Sequence, residues 1–275
     1  MNVTFWLFAA VPPFLVALGA TVLLRHWGGR KLGFRLSEIT PVLGFLVGFI
    51  GLVRGVPFLN MIAHRRIGET ALLALITGVA LALLPPGPRL GRYCAVGAAL
   101  LAVYWQVPGG QIPAEDMLVA AAAALAAVLI LDRLVDLART GATAMLVLAI
   151  AAAGLTVVAI ATRAGLLGGM ALALAAGSAG WLAWAWPFDK AKLSLAAAVS
   201  GGMVFVAIAF AVMQNAARPA WTLAPLLACF WAETILRHLP ILARRAKKKA
   251  VRPLALAASA ALPAAAAAAL STAMP

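Results

Sequence analysis

The stretch VTFWLFAAVPPFLVALGATVLL, residues 3–24, runs for 22 residues without a charge. A hydrocarbon core ~30 Å thick takes about 20 residues of helix, so this run is long enough to span a membrane. No basic residue precedes it, whereas Arg25, Arg30, Lys31 and Arg35 follow it closely. A secretory signal peptide has the opposite order, so the run reads as a retained first helix with its N-terminus outside.

Similar runs recur. The expected spans are 3–24, 39–54, 69–84, 92–107, 115–131, 141–162, 165–186, 194–214, 219–236 and 253–271. They imply an all-α polytopic membrane protein of about ten helices, forming a single transmembrane domain over residues 1–275. A composition that is 65% hydrophobic, with a mean hydropathy of +1.03, exceeds what a soluble core can bury. Long unbroken runs exclude a barrel, whose strands alternate in polarity. The last span is the weakest, because its alanine-rich sequence drives insertion poorly; Pro263 would kink it, or the segment would lie at the interface.

The charges orient these spans. Seventeen of the 22 basic residues fall in one set of alternate loops, and only Arg54, Arg65, Arg66, Arg163 and Arg218 fall in the other. The rich set is placed in the cytoplasm, which puts both termini outside. The net charge of +14 therefore reads as topology and contact with anionic headgroups, not nucleic-acid binding. The run Arg244-Arg245-Ala246-Lys247-Lys248-Lys249 has no interleaved aromatic residues and lies between two apolar spans.

Few residues offer chemistry. Cys94 and Cys229 lie in separate apolar runs and read as buried thiols. His26, His64 and His238 are isolated, so no metal-ligand spacing exists. Glu115 and Asp116 follow Pro113 and suit a helix start. Asp132 and Asp136 are one helical turn apart; with Arg133 and Arg139 they read as an interfacial ion network. Glu233 pairs by spacing with Arg237, four residues on. Trp181, Trp184 and Trp186 read as an aromatic belt. Glycine spacings such as Gly44-x3-Gly48, and those of Gly168, Gly169, Gly177 and Gly180, read as close helix packing.

One segment goes further. Residues 184–200, WAWPFDKAKLSLAAAVS, join two apolar helices through a polar loop. With Pro187, Ala191-Lys192-Leu193, Leu195 and Ser200 in frame, this resembles the Pro-rich signature of the polyprenyl-phosphate N-acetylhexosamine-1-phosphate transferases. Other motifs of that family have counterparts in order. Arg133 to Arg139 stands at its aspartate-bearing helix end, with Asp136 matching the first aspartate. Pro85-Pro86 stands near its acidic pair, and Pro88-Arg89-Leu90 keeps the basic part. Glu233-Thr234 through Arg237-His238 resembles its later acidic stretch. The resemblance covers roughly residues 70–240.

The resemblance implies ten spans, a bacterial cytoplasmic membrane and a reaction in which a lipid phosphate attacks a UDP-sugar. That reaction needs Mg²⁺ and clustered carboxylates. Here the metal-binding aspartate falls on Ala197, the acidic pair on Pro85-Pro86, and the second loop aspartate on Arg139. The implied site is vestigial at Asp136, Lys192, Ala197 and Glu233, with no metal cofactor. The expectation is therefore a non-catalytic relative. Arg89, Arg92, Lys190, Lys192 and Arg237 would attract a lipid phosphate. Membrane lipids, a polyprenyl phosphate, a membrane-protein partner or a second copy are the expected partners, and nucleic acid is not. Two alternatives stay open: a ten-span transporter of the drug/metabolite type, and an active transferase with a rearranged site.

Overall fold

The computed structural model describes residues 3–28, 32–54, 61–107, 117–185, 193–215, 220–238 and 252–273. Their regular elements are all helical: α1 (Val3–Trp27), α2 (Phe34–Ser37), α3 (Thr40–Arg54), α4 (Met61–Leu83), α5 (Pro88–Gln106), α6 (Met117–Ala138), α7 (Thr143–Ala161), α8 (Gly165–Ala185) and α9 (Leu195–Asn215). A broken helix follows. It consists of a 3-10 turn (Ala220–Leu223), α10 (Ala224–Ala228), a second 3-10 turn (Cys229–Trp231) and α11 (Ala232–His238). The last element is α12 (Arg252–Ala273).

Among the described residues, eight helices are long and apolar enough to cross a membrane. The alanine-rich end is one of them, Leu254–Thr272, and Pro263 lies inside its helix. Two expected spans fall outside the eight. Helix α5 has 19 residues, but Arg89, Arg92, Tyr93, Tyr104 and Gln106 dilute its apolar run. The expected 219–236 is interrupted, and its apolar helical part, Ala224–Leu236, is too short.

Helix α9 is central: sixteen of its 21 residues are buried. Helix α1 is the opposite case. It is apolar all round, yet buries only Ala9, Pro13, Ala17 and Thr21, a single stripe spaced by four. A helix buried along one stripe of small residues, with long apolar side chains elsewhere, suits a lipid-facing position. That stripe allows backbone contact. A Cβ at Gly44 of α3 would lie 2.5 Å from the Pro13 carbonyl oxygen, and one at Gly180 of α8 2.4 Å from that of Phe14. Helices α3 and α8 close the same way, with Gly177 against the Pro41 carbonyl. The glycine spacing in the sequence thus has its packing explanation.

Polar contacts tie the helix ends together. At one end Arg25 donates to Ser37 Oγ (2.9 Å), and the backbone N–H of Ser194 donates to Glu38 Oε2 (2.6 Å). Arg92 reaches Asp136 at this end as well. At the other end Trp105 Nε1 and Arg65 Nε both donate to Glu69, and Arg66 donates to the Gln106 carbonyl. The two groups follow the same alternation as the charges of the sequence.

Candidate functional site

The Ala- and Leu-rich sequence of α6 favours helix; its last turns carry Asp132, Arg133 and Asp136, and Arg139 follows its end. Asp132 and Asp136 share a face, and Arg92 of α5 bridges them: Nε lies 3.5 Å from Asp132 Oδ1 and Nη2 3.0 Å from Asp136 Oδ1. Arg139 Nη1 lies 3.7 Å from the same Asp136 oxygen. All these side chains are about a third to a half exposed, so each pair contributes under about 1 kcal/mol. Both carboxylates are committed to arginines. This is an ion network, as the spacing suggests, but its main cation is Arg92. Arg133 instead turns to the broken helix and donates Nε–H to the Phe230 carbonyl at 3.3 Å.

Along the other half of α6, away from this network, lies a half-open groove of about 320 Å³. Its floor on α6 is Val119, Ala122, Ala123, Ala126, Ala127 and Ile130, a helical stripe whose alanines leave room. Phe205, Phe210 and Met213 of α9 form one wall, and Leu223, Leu226 and Leu227 of the broken helix form another. Val103 of α5 adds to a lining of apolar residues. The stripe does not stop at Ile130: three residues on, the same helix face carries Arg133. Just beyond the lining of this apolar slot, on the same face of α6, stands a guanidinium whose Nη1 and Nη2 have no hydrogen-bond partner among the described residues. From the sequence, Arg133 belongs to the ion network. The 119–122–126–130–133 periodicity was the available signal.

The sequence-predicted positions divide. Asp136, Arg89 and Arg92 lie at one end of the α5–α6 pair, Arg89 being exposed at the start of α5. Ala197 is 1% exposed inside α9, so its methyl is sealed in the core. Glu233 opens the first turn of α11, close in sequence to the Arg133–Phe230 contact. Pro85-Pro86 connects α4 to α5. Lys190, Lys192, Asp189, Pro187, Trp186, Glu115, Asp116 and the basic run 244–249 lie outside the described residues, as does the side chain of Arg237. Among the described residues, no group of three or more His, Cys, Asp or Glu is placed to hold a metal ion.

A second polar cluster sits where α1, α2 and α8 end and α9 begins. The Arg25 guanidinium lies 4.1 Å from the Phe34 ring centroid and 3.7 Å from that of Trp184, a cation between two aromatic faces. Trp184 is therefore a partner of Arg25, and Trp181 is fully buried, so neither serves as a simple belt residue. Glu38, 1% exposed, holds the first turn of α9 through the Ser194 N–H. These contacts fasten both helices that flank residues 186–192. Comparison with protein-family models, with curated proteins and with solved structures finds no match.

Proposed function

We propose that this chain is a non-catalytic membrane protein that binds a long-chain lipid phosphate of the polyprenyl type. The observation that carries the reading is the apolar stripe of α6 ending in Arg133. Moving a hydrocarbon tail from bilayer to groove gains no hydrophobic energy, since lipid is as apolar as leucine. The tail contributes packing and position, and the headgroup must supply the selectivity. A phosphate takes charge-assisted hydrogen bonds from a guanidinium, roughly twice as strong as neutral ones. Arg89, Arg92, Arg133 and Arg139 outnumber Asp132 and Asp136 at that end of α5 and α6, which favours an anionic headgroup.

The resemblance to the sugar-phosphate transferases supports a polyprenyl phosphate in particular. In this reading ten segments cross a bacterial cytoplasmic membrane, both termini are outside, and the Arg133 end faces the cytoplasm. Phosphoryl transfer between two polyanions needs acidic ligands for Mg²⁺. The residue aligned with the family's metal ligand is a buried methyl at Ala197, and Asp136 is held by two arginines.

The test compares a short-chain polyprenyl phosphate with its neutral alcohol, binding each to purified protein in detergent. The phosphate is expected to bind at least about tenfold more tightly, equivalent to about 1.4 kcal/mol, and Ala126→Phe to abolish the preference by filling the groove. Equal binding of phosphate and alcohol removes the reading. Metal-dependent UMP release from a UDP-sugar and the same lipid removes its non-catalytic part.

A further inference from the structure

The Arg133–Phe230 contact joins the helix that floors the groove to the broken-helix wall, at the point where that wall is irregular. Phe230 lies in the 3-10 turn Cys229–Trp231, between α10 and α11. A 3-10 turn inside a helix changes the hydrogen-bond ladder, and such turns often mark hinges. Arg133 donates to the carbonyl of this turn across 97 residues of sequence, from a position three residues past the end of the groove floor. On the far side of the same turn, Leu226 and Leu227 line the groove. The guanidinium thus stands one helical turn beyond the groove floor and is bonded to the hinge.

The geometry points to a ligand-released clip: lipid phosphate takes Arg133 from the Phe230 carbonyl, and the broken helix loosens from α6 when the groove fills. The inference rests on the lipid-phosphate reading above. Its energetic basis is a competition between acceptors. The carbonyl is neutral and 3.3 Å from Nε, a long hydrogen bond. A phosphate oxygen accepts more strongly, and a phosphate held side-on takes two parallel N–H bonds from Nε and Nη2, the first of which is the one now given to Phe230. Asp132, the adjacent carboxylate, already faces Arg92, and among the described residues Phe230 is the acceptor that holds Arg133. A neutral lipid fills the groove without this competition, so it leaves the clip shut. The device distinguishes a phosphorylated carrier from its alcohol by conformation as well as by affinity.

Hydrogen–deuterium exchange of the whole purified protein tests this, with binding followed separately by native mass spectrometry. The probes are a short-chain polyprenyl phosphate and the matching polyprenol. On phosphate binding, backbone exchange over residues 232–238 is expected to rise roughly fivefold, the weight of one net hydrogen bond. The alcohol, at matched occupancy, is expected to leave it unchanged. Arg133→Gln should show the raised exchange without ligand and no further rise with it. Selective phosphate binding with unchanged exchange in the wild-type protein overturns the clip and leaves the binding reading standing. No selective binding overturns both. The wild-type comparison decides the matter whether or not the variant folds.

Discussion

The half of the bundle made by α1, α3 and α8 is closed, whereas the half containing α5, α6 and the broken helix is open. Both are built from small residues. In the closed half, glycines face backbone carbonyls, so helices approach until main chains touch at Pro13, Phe14 and Pro41. In the open half, alanines of α6 face a gap instead of a neighbour, and a groove remains. Their ions differ in parallel. Glu38 and Arg25 are locked between helices of the closed half, while Arg92, Asp132 and Asp136 sit exposed beside the open one. Small side chains therefore specify contact only where the facing helix presents backbone, and the same residue type elsewhere leaves room for a ligand.

Substituting glycine on each side should break the symmetry most strongly. At Gly180 even a Cβ would sit 2.4 Å from the Phe14 carbonyl oxygen, and a main-chain atom does not swing aside. Gly180→Leu is expected to lose stability at or above the top of the ~1–3 kcal/mol range for overpacking, read as thermal unfolding in detergent. Gly97 of α5 has nothing within 4 Å of the same position. Gly97→Ala is accordingly expected to be neutral or stabilising. Equal losses at the two sites would show that the closed half is no tighter than the open one.

The buried carboxyl ranks next. Glu38 accepts the Ser194 N–H at 2.6 Å and is almost wholly shielded from solvent. Glu38→Ala leaves that donor at the start of α9 without its acceptor, a loss of about 1–3 kcal/mol. Glu38→Gln keeps an acceptor oxygen and should recover part of it. Wild-type stability in the alanine variant would mean that α9 does not depend on this contact.

Much of the closed half was legible in the chain. An all-apolar first span, and glycines recurring on α3 and α8, are local patterns with a direct packing meaning, whereas the stripe of Ala9, Pro13, Ala17 and Thr21 shows only in the structure. The break at Cys229–Trp231 was not legible, because what surrounds it is tertiary. Phe230 packs edge-on against Phe205 at 5.4 Å, and Arg133 takes its carbonyl from a distant helix. The groove was hidden for a related reason. An alanine run reads as helix, while empty space beside it depends on α5, α9 and the broken helix. Asp132 and Asp136 announced themselves by spacing, but the arginine that bridges them comes from another helix, 44 residues before Asp136.

That bridging arginine gives the smallest expected effect and the finest contrast between the halves. Arg92 touches both carboxylates, so Arg92→Ala removes two of the ion pairs at once. Its side chain is about half exposed, and exposed pairs contribute little because water solvates the separated ions nearly as well. The expected loss is under about 1 kcal/mol, and it should shrink further as salt screens the pairs over ~8–10 Å. Buried Glu38 should show no comparable salt dependence, since screening ions do not reach it. Thermal unfolding of both alanine variants at low and high salt separates the cases. A loss for Arg92→Ala as large as that for Glu38→Ala, and insensitive to salt, would make the open half's network a structural clamp like the one at Glu38.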